Sequence, residues 1–307
     1  MNTRRILIFD LEEGYANALS ACFQKKKELN LQIEIKTEKE KTIRKDNNES
    51  YYAVFSGTSV PLHERMEISA KFRFLLTETG NEAMDETEVP IFKFQAGEKI
   101  LREFIHECCE SGGADELFLR LSGKGQTNII GVFSPIGRIG KTGYALKLGE
   151  DLAKNEQVLY LNMELFGGYG GHFHESPENT LADVFYCLRQ EKQNIGLRIA
   201  TFVSQKNSLN YLAPMTVSKD VKEVKAAEWL KLIRIIMEEC SYQSLILDMS
   251  EGIDGLYEIL KICKEIHMPV INGEYAQAKV NQFKAELMLM KMEEVLENIR
   301  EIPMRAP

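Results

Sequence analysis

The chain has no long apolar run, no paired-cysteine motif and no excess of positive charge, and each absence removes a class of function. No segment approaches the ~20 apolar residues of a transmembrane helix. The opening stretch "MNTRRILIFDLEEG" has too few apolar residues before Asp10 for a signal peptide. The expectation is a cytoplasmic protein without stable membrane insertion. The six cysteines are scattered, and only Cys108 and Cys109 stand close together. Without a C-x-x-C pair, zinc and dithiol readings are weak and reduced thiols are expected. The formal net charge is −8. That argues against a nucleic-acid coat or a polybasic membrane binder, since both need a positive field. Internal repeats and low-complexity tracts are also missing.

What is present is globular. Of 307 residues, 44% are hydrophobic and 27% charged, enough for two ordinary domains with substantial cores. The first half alternates short apolar strands with helical stretches. "RRILIFD", "LQIEIKT", "YYAVFSG", "FRFLLTE" and "PIFKF" read as strands. "YANALSACFQKK" reads as a helix with Tyr15, Leu19, Cys22 and Phe23 on one face, and "AGEKILREFIHECCE" as a second helix. Five strands with interleaved helices predict a doubly wound sheet over residues 1–112. Residues 113–126, flanked by Gly112, Gly113, Gly123 and Gly125, read as a linker.

The order of the first half resembles an atypical receiver-like (flavodoxin-like) domain of the response-regulator type. Asp10, Glu12 and Glu13 match its acidic residues after the first strand. Thr77 and Lys93 match its Ser/Thr and Lys. The phosphorylated Asp of that family falls on Ser56 or Gly57, and no Asp is near. The resemblance thus implies a pseudo-receiver for docking, without aspartyl-phosphate chemistry. The same residues also read as ordinary strand-end side chains.

The second half, residues 127–307, opens with "IIGVFSPIGRIGKTGYALKL". An apolar strand runs into a turn with two glycines, and Gly-Lys-Thr opens a helix with Tyr144, Ala145, Leu148 and Leu152 on its buried face. Phosphate binding at such a turn needs converging backbone N–H groups, a Lys for the β- and γ-phosphates and a hydroxyl for Mg²⁺. Gly137, Arg138, Ile139, Gly140, Lys141, Thr142 and Gly143 form the candidate cradle. "QVLYLNM" and "QSLILDMS" are further strands, the latter ending in Asp248. "TLADVFYCLRQ", capped by Asn179 or Thr180, and "AAEWLKLIRIIMEEC" are helices. His172 and His174 have no third ligand at defensible spacing, so a solvated loop is expected. "LMLMKMEE" reads as a helix face in the core or at an interface.

Pro135 breaks the ordinary G-x-x-x-x-G-K-[ST] pattern. "SPIGRIGKT" resembles the variant loop of the MinD/ParA deviant Walker ATPases, with Ile136 in place of the signature Lys and Arg138 in place of a second Gly. The resemblance implies a P-loop NTPase domain that binds ATP with Mg²⁺. It makes Thr142 and Asp248 the metal-side residues, with Lys141 and Glu164 as the catalytic pair. Asn162 and Glu164 in "LNMELF" fall at the family's carboxylates, "FGGYGGHFH" at its switch loop and "REIPMRAP" at its adenine-side segment. The whole arrangement resembles the TadZ/CpaE group. That implies a homodimeric localisation and assembly factor for Flp (tad) pili, at a cell pole. It implies partners among pilus assembly proteins or a polar landmark, no nucleic acid, and weak or absent turnover because Ile136 lacks the trans-acting charge. The alternatives are an active partition-type ATPase and a nucleotide-free scaffold.

Overall fold

The computed structural model describes residues 4–24, 29, 31–37, 50–111, 127–190, 192 and 194–304. The chain divides into two compact units, Met1–Arg120 and Leu121–Pro307. The boundary, and the whole 113–126 stretch read as a linker, lie outside the described residues.

In the first unit, strands β1 (Arg4–Phe9), β2 (Leu31–Lys36), β3 (Tyr51–Gly57), β4 (Ala70–Thr77) and β5 (Glu88–Phe92) form a parallel sheet ordered β2-β1-β3-β4-β5. That is the flavodoxin-type doubly wound order. β3 is buried along its whole length, as a central parallel strand must be. Helices α1 (Glu13–Gln24), α2 (Leu62–Glu67) and α3 (Gly97–Glu110) pack around it. α3 buries Ile100, Leu101, Phe104, Ile105 and Cys108, a stripe repeating at helical spacing. Phe104 meets Phe23, Phe55 and Phe74 in an aromatic cluster. On α1 the fully buried face is Ala16, Leu19, Ser20 and Phe23. Tyr15 and Cys22 sit at its margin, so the expected stripe is rotated by about one residue. The expected alternation of strand and helix is incomplete, since no helix is formed between β4 and β5.

The strand ends of this unit hold an ion cluster. Lys93 follows β5 and is 1% exposed. Its Nζ lies 3.0 Å from Asp10 Oδ2, 3.0 Å from Glu12 Oε1 and 3.4 Å from Glu78 Oε1. Burial pushes the ammonium down, but Asp10 and Glu12 outweigh it and hold it above the ordinary lysine value. Gly57, at the end of β3, is what lets Asp10 fit. A Cβ there would stand 2.6 Å from Asp10 Oδ2. Asp10 is fully buried, so removing its counter-ion strands a charge. Lys93→Met should cost about 3–5 kcal/mol. Adding Asp10→Asn should recover much of the loss, both read as urea midpoints of the full chain.

The second unit is a seven-stranded sheet ordered β12-β11-β6-β10-β7-β9-β8. The strands are β6 (Asn128–Val132), β7 (Val158–Met163), β8 (Ser204–Lys206), β9 (Leu209–Leu212), β10 (Ser244–Met249), β11 (Glu265–Val270) and β12 (Ile299–Pro303). All pairings are parallel except β8 with β9. Alternation along the strands sorts the two faces. Ile130, Val132, Tyr160 and Ile246 face helix α4 (Lys141–Leu152). Ile129, Leu159, Leu161, Leu245 and Leu247 face α5 (Leu181–Arg189), α6 (Ile195–Phe202), α7 (Ser218–Glu223), α8 (Ala226–Glu239), α9 (Leu256–Ile262), α10 (Glu274–Leu289) and α11 (Glu293–Glu297). Thr180, one of the two expected caps, begins α5. Its hydroxyl accepts from Ala182 N–H at 3.2 Å, and Asp183 reaches back to Thr180 N–H at 2.7 Å. The Met-rich end of α10 is split between core and surface, with Leu287 buried. Met292 is buried, but Met288, Leu289 and Met290 are exposed because the helix stops and turns there.

Candidate nucleotide site

The loop between β6 and α4 turns at two left-handed residues. Gly140 takes φ +82° and Arg138 φ +60°. Gly140 does so without strain. Arg138 holds a conformation that costs an L-residue about 1–2 kcal/mol. Ser134 starts the turn, its hydroxyl donating to Pro269 C=O at 2.7 Å and accepting from Ile136 N–H at 3.1 Å. Ile136 and Ile139 point into the core, at 8% and 4% exposure. Gly137 and Arg138 are exposed, and a Cβ on Gly137 would meet no atom within 4 Å. The loop is thus anchored on its apolar side and presents small, polar backbone on the other. Lys141 is the first residue of α4. The helix N-terminus adds partial positive charge and free N–H groups.

Lys141 is folded onto two carboxylates. Its Nζ donates to Asp248 Oδ1 at 2.5 Å, to Met249 C=O at 2.7 Å and to Glu164 Oε1. Asp248 is the penultimate residue of β10 and has no exposure, while the Glu164 side chain is 24% exposed. The other Asp248 oxygen, Oδ2, accepts from the Tyr160 hydroxyl at 2.9 Å. Asn162 donates to the Tyr160 oxygen at 3.1 Å, and its own carbonyl accepts from Glu164 N–H at 3.0 Å. One ammonium therefore faces two carboxylates, which leaves the pocket one charge short of neutral. Among the described residues no group of three or more His, Cys, Asp or Glu could hold a metal by itself. A buried carboxylate already gripping a cation, next to exposed loop backbone and the first turn of α4, which carries Thr142, is a donor set that Mg²⁺ bringing phosphate and water ligands of its own could use.

The structure brings Lys141, Glu164 and Asp248 together. Thr142 and Gly143 lie in the first turn of the same helix. Asn162 is buried and bridges the Tyr160 hydroxyl and Glu164 N–H. Tyr160 reads from the sequence alone as a strand residue. His172 and His174 are exposed, on the loop that carries Gly168 and Gly170 at positive φ. The segment read as adenine-side forms β12. Met304 beyond it has its Cε 3.7 Å from where a Gly140 Cβ would be. Residues 305–307 lie outside the described residues. A cavity of about 520 Å³ opens beside Phe133, Pro135, Glu251, Tyr257, Phe283 and Glu286. None of Gly137 to Gly143 lines it, so it is separate from the cradle.

No family model and no curated protein matches the chain. Solved structures do. A ParA family ATPase from Chlorobium tepidum TLS is 18% identical, with 59% of this chain and 75% of that chain covered and a TM-score of 0.48. A putative plasmid partition protein from Borrelia burgdorferi B31, bound to AMPPNP, is 16% identical over 58% and 76%, with a TM-score of 0.44. The MinC:MinD cell division protein complex of Aquifex aeolicus is 16% identical over 58% and 68%, with a TM-score of 0.41.

The cage makes a pH prediction. Burial raises the Glu164 carboxyl above the ordinary range, although Lys141 pulls it down; Asp248 and Glu251 add to the rise. The folded protein thus holds this proton more tightly than the unfolded chain. Its contribution to stability is complete below the ordinary carboxylate range and is lost as pH rises through the raised folded value. Lys141→Ala removes the lowering influence. The loss of stability should become larger and extend to higher pH, measured as urea midpoints from about pH 4 to about pH 8.

Proposed function

We propose that the second unit binds ATP with Mg²⁺ through Gly137, Arg138, Ile139, Gly140, Lys141, Thr142 and Gly143. In this reading the chain acts as a dimeric, nucleotide-gated localisation factor of the TadZ/CpaE kind, with slow or absent hydrolysis. The observation that carries it is the Lys141 ammonium held between Asp248 and Glu164 at the mouth of a strand–loop–helix turn. Lys141 would leave that cage for the β- and γ-phosphates. Thr142 and Asp248 would hold the metal, which supplies charge neutralisation at the phosphates. Glu164, freed of its counter-ion and already inclined to hold a proton, would orient water. Lys141→Ala should remove most ATP affinity in calorimetry, because it deletes a charge-assisted contact to phosphate. Unchanged affinity would sink the reading.

Slow turnover follows from position 136. Ile136 is packed in the core, so a lysine there would have to bury its charge or rebuild the loop. Arg138 is the exposed cation of the loop, kept in a strained backbone state. Strain retained at a loop tip points to use. This favours, as a second reading, an active ATPase in which Arg138 supplies the trans charge. Arg138→Gly relieves the strain and should be as stable as the parent or up to about 1 kcal/mol more so. It should nonetheless lower phosphate release or weaken ATP-dependent dimerisation, followed by light scattering. Full activity in the variant would remove Arg138 from the mechanism.

For the first unit we propose a docking role. Position 57 is glycine, the adjacent Ser56 is buried, and Asp10 fills the space an acceptor side chain would need. A pilus assembly protein or polar landmark is the partner this reading expects, for a cytoplasmic protein placed at a cell pole. No helix among the described residues is long and apolar enough to cross a membrane.

A further inference from the structure

We propose that Phe166 of one copy enters the cavity beside Phe133 and Phe283 of a second copy of this chain, and that the two copies exchange this contact. The proposal deepens the dimer part of the reading above and does not require bound nucleotide. It starts from the way Phe166 is held. The residue stands two beyond Glu164, just past β7, and is 83% exposed. The chain on either side of it is fixed. Leu165 packs against the core and against Gly252, where an added Cβ would stand 2.8 Å from Leu165 Cδ1. Gly167 is pressed on Pro214, and a Cβ there would stand 2.3 Å from Pro214 Cγ. Gly168 turns at φ +80°, and the Tyr169 hydroxyl donates to Pro214 C=O. With both neighbours anchored inward, the ring is presented to solvent on a fixed backbone. An aromatic held in this way has little freedom left to lose on binding.

The cavity of about 520 Å³ is the matching hole. Phe133, Ile253, Leu256 and Phe283 give it an apolar floor, with the Phe133 and Phe283 rings 5.0 Å apart. Tyr257 hydrogen-bonds Glu286, which ties α9 to α10 at its wall. Place in the fold selects the occupant. Phe133 follows β6, Glu251 follows β10 and Phe166 follows β7, and these strands are parallel neighbours in the order β6-β10-β7. Knob and hole therefore stand at one end of one sheet, and the Leu165–Gly252 contact brings their loops together. A two-fold dimer uses the same patch on both copies, so a knob and a hole on one patch satisfy each other twice. Charge agrees with this choice. Glu251, Asp254, Glu258 and Glu286 line the cavity against Lys279, and Asp254 also has Lys225 at 3.7 Å. An acidic rim facing its own image is repelled unless a cation arrives with the ring. Arg138, exposed on the loop that follows β6, is a cation that the second copy brings to this end of the sheet.

The test is sedimentation equilibrium of the full chain, with and without ATP and Mg²⁺. Wild type should dimerise. Phe166→Ala removes two aromatic anchors from each dimer and should weaken association at least about a hundredfold. Gln282→Trp, at an exposed position of α10 on the cavity wall, should block the hole and weaken association in the same way. A mixture of the two variants recovers one of the two contacts, so it should associate more tightly than either variant alone. Phe166→Arg should retain more association than Phe166→Asp, because the rim is acidic. A chain that stays monomeric in every condition overturns the proposal. So does a Phe166→Ala chain that dimerises like the parent, a mixture no tighter than its components, or an Asp variant that outdoes the Arg variant. Recovery in the mixture by a chain that binds no ATP supports this contact and removes the nucleotide reading. ATP binding by a strict monomer does the reverse.

Discussion

The second unit is organised around one ammonium shared by two carboxylates. Asp248 is fully buried, and a lone carboxylate in that position would be severely penalised. Lys141 supplies the charge and Tyr160 the second hydrogen bond, so both oxygens are satisfied. Much else follows from holding that constellation. β6 must end where α4 can present Lys141, β10 must sit between β6 and β7, and Glu164 must follow β7 closely enough to reach the same ammonium. The central position of β6 and β10 puts the site at the end of the sheet where strand connections part, as ligand sites in open α/β sheets do.

The first unit solves a similar problem differently. Lys93 gathers Asp10, Glu12 and Glu78 at the strand ends, and Gly57 yields space to Asp10. There the cation is almost wholly enclosed, whereas Lys141 lies at an open loop. An enclosed ion pair stabilises a fixed surface, because breaking it strands a buried charge. Lys141 is the more accessible of the two cations, with its side chain 12% exposed.

The sequence by itself determined the two parallel-sheet units and the strand–loop–helix turn that carries Lys141. Alternating apolar runs set the strands, and Gly-Lys-Thr after an apolar strand set the loop, because those signals are local in the chain. Asp248 was legible as an acidic residue ending a strand, and Thr180 as a cap before an apolar helix. Only the tertiary structure decided what depends on partners distant in sequence. Tyr160 in "VLYLNM" reads as one more core aromatic until β7 is paired with β10, which brings Asp248 to its hydroxyl across 88 residues. Asn162 looked like a weakened carboxylate, and the same pairing made it a bridge. Ile136 fell within a polar loop by motif, yet the sheet beneath draws it into the core. The edge strands β8 and β12 are hard to read from sequence because they bury little and carry weak apolar patterns, and β9 because it is only four residues long. Local chemistry fixes which elements form. Register fixes which side chains meet, and in a parallel sheet register is set by packing far from the residues it brings together.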